Sequence, residues 1–233
     1  MCAAAPGPRP DHGRAPLGAA GADGSGRASS EKVGAYPAGV TITIEAATGA
    51  RFADVETILG PKRPGAQGCW CLSYRLGHKV ESTLEGDQRS AYMAALCRRR
   101  SHAPGVLAYQ GGDVVGWAGV APREEMHEFA SSDRYPNRDE PGVWVVWCFR
   151  VRAGHGGRGV AQALLGGAVA YARARGARAV EGFPVDNGSE KVDRTMASFG
   201  VRVMFERAGF AQVAELRGRR GGFPQVVMRI ELT

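Results

Sequence analysis

The 233-residue sequence has no apolar run approaching the roughly 18 residues that a membrane span requires, and its first residues lack the apolar core of a signal peptide. A chain without either is expected in the cytoplasm with no membrane partner. Its five cysteines, Cys2, Cys69, Cys71, Cys97 and Cys148, are odd in number and unevenly spaced, unlike the framework of a small secreted domain. Reduced thiols are expected. No second pair of ligands accompanies Cys69 and Cys71, and there is no CxxC, so neither a metal nor a redox centre is expected. The dinucleotide fingerprint GxGxxG and the GK[ST] ending of a P-loop are also missing. Acidic residues are the minority, 23 against 30 basic, which gives a net charge of +7 and a surface that attracts polyanions. The arginines are nevertheless scattered, and the clusters Arg98 to Arg100 and Arg217 to Arg220 read as solvated ends of elements. No nucleic-acid partner is expected.

Residues 1 to 38 are rich in Gly, Pro, Ala and Ser and nearly empty of large apolar side chains. Such a segment buries too little surface to offset its ordering entropy, and it is read as a flexible tail before one domain over 39 to 233. Within that domain VTITIEA alternates like a strand, and RFADVETILG carries its apolar residues on one helical face. QRSAYMAALCRRR is a further helix, and VLAY and VVGWAGV flank a QGGD turn as a hairpin. Residues 123 to 142 are a connection. VWVVWCFRV, β-branched and aromatic with a single charge, predicts a strand buried on both faces. A helix over VAQALLGGAVAYARARG stopped by Gly176, a strand over ARAVEGFPV, a short helix ending at Gly209 and a closing strand pair follow. The order is α/β in the middle with antiparallel strands at both ends.

Between the buried strand and its following helix lies HGGRGVAQALL. Glycines at 156, 157 and 159 remove side chains where the first helical turn leaves its amides without partners, so the loop can close on an anionic group with help from the helix dipole. The bland alternative is a tight connection. Here the sequence resembles the GNAT superfamily of acyl-CoA-dependent N-acyltransferases, whose [R/Q]-x-x-G-x-[G/A] motif falls on Gly156, Gly157, Arg158, Gly159, Val160 and Ala161. A second resemblance, about 50 residues on, is MFERAGF, Met204 to Phe210, to that family's helix-end motif. The resemblance covers residues 40 to 233 and is strongest from 105 onward, the expected cofactor-binding half.

It implies a mixed, mostly antiparallel central sheet with splayed central strands and flanking helices. It further implies acetyl-CoA as acyl donor, with pantetheine along Phe149, Arg150 and Val151, pyrophosphate in the loop from Gly156 to Ala161, and Phe205 beside the cofactor. The sequence departs from the family in three ways: Gly156 stands at the first motif position, Phe205 replaces a tyrosine that often acts as general acid, and Trp144 to Val151 carries no carboxylate base. Acyl transfer to an amine needs an uncharged nucleophile, a site for the oxyanion and a proton for the thiolate. Glu181, on the next strand, is the candidate base or else a strand-edge carboxylate; Tyr109 and Tyr135 are candidate acids. Cys148 is a core residue or a thiol beside the channel, and His155 a loop residue that could meet phosphate.

GCWCLSYR, Gly68 to Arg75, lies where such proteins shape the acceptor pocket, with Cys69 and Cys71 facing one side if the segment is extended. Trp70, Cys71, Tyr74, Trp117 and Trp147 are the candidate pocket wall, with Arg75 either pairing with a substrate or reaching solvent. The reading is an acetyltransferase acting on a small-molecule amine, an antibiotic or a metabolite, by direct attack in a ternary complex, as monomer or homodimer, with a composition typical of GC-rich bacteria. A CoA-binding sensor without turnover is the alternative, and a peptide acceptor a weaker one.

Overall fold

A computed structural model describes residues 41–63, 66–136, 139–193 and 196–232, so the segment read as a tail lies outside the described residues. Seven strands form one sheet: β1 (Ile42–Ala46), β2 (Gly105–Gln110), β3 (Asp113–Pro122), β4 (Val143–Val151), β5 (Ala179–Gly182), β6 (Ala211–Arg220) and β7 (Phe223–Glu231). Their spatial order is β1-β2-β3-β4-β5-β7-β6, and only the β4–β5 pairing is parallel. The α/β fold with a mostly antiparallel sheet is as expected.

Helices cover both faces because β3 and β4 are apolar on both sides. On one face α6 (Val160–Arg173) lays Val160, Leu164, Leu165 and Ala168 against Val106, Ala118 and Val146, and α7 (Arg202–Glu206) adds Met204 and Phe205. On the other, α1 (Phe52–Leu59), α4 (Gln88–Cys97) and α5 (His127–Ser131) bury Val55, Met93 and Phe129 against Leu107, Val145 and Trp147, together with Leu72, the residue before α2 (Ser73–Leu76). α3 (His78–Glu81) is a single turn after α2. The expected connection 123 to 142 contains a 3-10 turn, Arg123–Glu125, and α5. No helix among the described residues is long and apolar enough to cross a membrane.

Two features of β4 position the site. Its register with β5 runs from Val143↔Ala179 to Val146↔Gly182 and ends there. Gly182 at that last pair is required by contact, since a Cβ there would sit 2.2 Å from Phe205 Cε1. From Trp147 onward one edge of β4 has no strand beside it among the described residues. The second feature is a bulge. Trp117 pairs with Arg150 and Gly119 with Trp147, so β4 spends one residue more than β3, with Cys148 at φ 56°. The extra residue breaks the alternation: Trp147 and Cys148, which a regular strand would send to opposite faces, belong to the same core cluster, while Phe149 belongs to the other.

Candidate active site

Two cavities open at the unpaired end of β4. The first, about 520 Å³, is lined by Val151, the loop His155, Gly156, Gly157 and Gly159, the start of α6, and Val201, Val203, Met204 and Arg207. The loop can turn here because Gly157 and Gly159 take φ 74° and 76°, conformations that cost a side-chain-bearing residue strain. Gly159 is the residue before α6, and among the described residues the N–H groups from Gly156 to Gly159 donate to no backbone carbonyl. A Cβ on Gly156 or Gly157 would meet nothing within 4 Å. Open amides at the N-terminus of a 14-residue helix, with Arg207 across the cleft, suit a polyphosphate. His155 lines this cleft with Nδ1 2.9 Å from Gln110 Oε1. Arg158 is exposed on the loop and is not part of the lining.

The second cavity, about 160 Å³, is lined by Cys69, Cys71, Ser73, Tyr74, Trp147, Cys148, Arg150, Ser198, Phe199 and Arg220. Because of the bulge, Trp147, Cys148 and Arg150 all face it while Val151 faces the first cleft. Three thiols meet here. Cys69 is pushed far above the ordinary thiol range by its hydrogen bond with Cys148 and then by burial, so it stays protonated. Arg150 Nη2 stands 3.5 Å from Cys69 Sγ. Among the described residues no group of His, Cys, Asp and Glu is arranged to hold a metal ion. Arg220 donates from Nη2 to the Tyr74 hydroxyl and lies 4.4 Å from the centre of the Phe199 ring. Burial outweighs the opposing Arg220 charge and raises the Tyr74 pKa, so its hydroxyl keeps a proton at neutral pH.

The sequence expectations divide at these cavities. Val151, Gly156, Gly157, Gly159, Val160 and Ala161 gather at the first, and Cys71, Tyr74, Trp147 and Arg150 at the second. Phe149 and Phe205 are buried and packed edge to face at 6.1 Å, with Phe205 fully enclosed between Phe149 and Phe210. Phe205 is a core residue and does not line the first cleft. Trp117 is wholly buried. Trp70 stacks 6.1 Å from Phe52 and lines a separate cavity with Glu56 and Arg89. The segment is not extended: Trp70 and Cys71 take φ 47° and 59°, so the two thiols share a side through a turn while the tryptophan leaves it. Arg75 neither reaches solvent nor lines the cavity; it lies buried, 5.5 Å from the centre of the Trp147 ring, with Nη1 3.7 Å from Glu125.

Glu181 departs most from expectation. It is 1% exposed, pairs with Val145 and Arg229 in the sheet, contacts Arg123, and accepts from Arg229 Nη1 at 3.0 Å. Arg229 is itself bound by Glu140 and Glu231. Glu181 therefore sits on β5 beside the paired half of β4, outside the lining of both cavities, with its carboxylate spent on two guanidinium groups. Tyr109 donates to Asp54 Oδ2 at 2.6 Å, and Tyr135 is buried against Phe129 and Phe183, and neither is part of the lining of these two cavities. The sequence reading missed Phe199 and Arg220. The arginine belonged to a run taken for a solvated end, and its 146-residue separation from Tyr74 hid the pairing.

Comparison with known proteins bears on the same region. A model of the acetyltransferase (GNAT) family matches residues 73–200. No curated protein matches the chain. An acetyltransferase of the GNAT family from Streptococcus pneumoniae is similar over 83% of this chain and 100% of its own, with 13% identity and a TM-score of 0.51. Ribosomal-protein-alanine N-acetyltransferase from Brucella melitensis (18% identity, 82% of this chain and 99% of its own, TM-score 0.47) is another similar structure. So is diaminobutyrate acetyltransferase EctA from Paenibacillus lautus, solved with L-2,4-diaminobutyric acid and coenzyme A (16% identity, 82% and 95%, TM-score 0.43).

Proposed function

This chain belongs to the acetyltransferase (GNAT) family, a family of acetyl-CoA-dependent acyl transfer, and we propose that it acetylates the amine of a small molecule by direct attack in a ternary complex in the cytoplasm. The observation that carries this reading is the pair of cavities at the end of β4, glycine-lined on one side and walled by aromatic rings and thiols on the other. Acetyl-CoA supplies the acyl group as a thioester. The residues present fit it: the amides from Gly156 to Gly159 and Arg207 would hold its phosphates, and Val151 would border its pantetheine arm. An acceptor cavity of about 160 Å³ is well below the roughly 300–1,000 Å³ of drug-sized ligand sites, which favours a compact acceptor over a peptide.

The chain's own groups then have assignable roles. The bulge at Cys148 leaves main chain without a regular ladder beside the acceptor cavity, which suits an oxyanion site. Tyr74 is the tyrosine whose side chain lines that cavity, and because Arg220 donates to its oxygen, its own proton is free to be given to a leaving thiolate. It takes the role for which Tyr109 and Tyr135 were candidates. Glu181 is assigned to the ion network and not to proton abstraction. The test is release of CoA thiol from acetyl-CoA across an amine panel, comparing the native protein with Tyr74→Phe. Turnover of at least one amine is expected, with kcat reduced about 100-fold in the variant. Acetyl-CoA bound with no thiol released for any amine would sink the reading.

A further inference from the structure

The acceptor cavity has two guanidinium groups in its wall and no carboxylate. Arg51, Arg75, Arg89, Arg99, Arg202 and Arg229 each pair with a carboxylate. For Arg150 and Arg220 no ion pair forms among the described residues. Their contacts are instead a thiol, a phenol and an aromatic ring, which fix the two side chains without neutralising them. Arg220 is held in orientation twice over, by the Tyr74 oxygen and by the face of Phe199. A third guanidinium, Arg75, packs over Trp147, and its Nε and Nη2 are buried without a hydrogen-bond partner. A small concavity with fixed positive charge and no counter-ion is complementary to an anion, and a guanidinium with free N–H groups presents a fork that fits a carboxylate.

We propose that the acceptor carries a carboxylate beside its amine, an amino-acid-type substrate whose carboxylate is bound by Arg220 in the field of Arg150. This rests on the acetyltransferase reading and names the substrate class of that same cavity. Once the carboxylate has neutralised one arginine, the other remains, and a positive charge near the amine favours its uncharged form. The protonated amine loses one proton to solvent and its lone pair attacks the thioester carbonyl; as the tetrahedral adduct collapses the C–S bond breaks, the thiolate takes the proton of Tyr74, and the second proton of the nitrogen passes through solvent to the Tyr74 oxygen, giving the N-acetyl acid and CoA with Tyr74 restored. No carboxylate base is needed in the wall, which agrees with the enclosure of Glu181 elsewhere.

The test uses the full chain and acetyl-CoA with matched pairs, each α- or ω-amino acid against its own carboxamide, following thiol release. At least one acid should be used with kcat/KM about 10- to 100-fold above its amide, the range expected for losing hydrogen bonds to a charged group. Arg220→Gln should erase that ratio, and Arg220→Lys should restore part of it. The ratio is read because the Tyr74 contact, which Arg220→Gln also loses, affects acid and amide alike. Amides or simple amines used as well as the acids would overturn the proposal while the acetyltransferase reading stands. The same ratio in Arg220→Gln as in the native protein would overturn it too. Acetyl-CoA bound with no thiol released from either series would overturn both.

Discussion

Up to Val146, strand β4 has a neighbour on each side and regular alternation; from Trp147 it has one neighbour, a bulge and a left-handed cysteine. The nine residues are uniformly apolar but for Arg150, so composition does not distinguish the halves. Their surroundings do. The paired half is beside a buried ion network, where Glu181 and Arg229 answer each other across β5 and β7. The open half separates two cavities and faces cations left without carboxylates. Stability and chemistry are thus divided along one strand, with backbone strain confined to the end where ligands are expected.

The sharpest way to break this division is to cut the network on the paired half. Glu181→Gln gives the buried Arg123 a neutral neighbour in place of a carboxylate, while Arg229 keeps Glu140 and Glu231, and a loss of about 3 kcal/mol is expected in urea unfolding. The folded fraction should transfer acetyl groups at the native rate per molecule. Loss of turnover in well-folded protein would return Glu181 to the chemistry.

A smaller effect tests the open half. Gly157→Ala and Gly159→Ala each force a side chain into a left-handed conformation at a cost of roughly 1–2 kcal/mol. Because that strain falls on the loop proposed to hold the phosphates, the KM for acetyl-CoA should rise about tenfold while kcat changes little. Equal KM values in variant and native protein would detach the loop from the donor.

The smallest effect is a pH dependence on the paired half. His102 is buried against Trp144 with Nε2 3.2 Å from Glu125, and burial, the dominant cause, lowers its pKa in spite of that carboxylate. A folded pKa below the unfolded one, about 6.5, means the unfolded state binds the proton more readily. The contribution is complete above about pH 6.5 and is lost as pH falls toward the folded value. Unfolding midpoints at pH 7.5 and pH 5.5 should differ less in His102→Gln than in the native protein.

Much of this was legible in the sequence because it is local. Strand alternation, the QGGD hairpin, the helix over VAQALLGGAVAYARARG and the glycine loop before it depend on neighbours a few residues apart, and all stand where the pattern put them except that the helix ends at Arg173, short of Gly176. What was not legible depends on distance in the chain. The partners of Glu181 lie on β7 and in the Arg123–Glu125 turn, so a carboxylate on a strand gave no sign of being spoken for. Arg220 looked like the end of a basic run, and only the hairpin of β6 and β7 carries it to Tyr74. The departure of Trp70 from the pocket is set by two left-handed residues that are not glycine, which no propensity anticipates.

The bulge at Cys148 also works as a phase shifter. If the strand kept its length but ran in strict alternation through Cys148, every residue beyond Trp147 would change sides, and Arg150 and Val151 would exchange the sides on which they emerge. The cation would then enter the first cleft and the valine the second cavity, and both would be rewritten by a change too small to alter the length of any helix. Deleting Cys148 would instead leave Trp147 and Arg150 on one side, two residues apart like their partners Gly119 and Trp117 on β3. In a chain of this design the sides on which the tip of β4 presents its residues depend on how one surplus residue is accommodated, whereas a surplus residue in a surface loop changes only spacing.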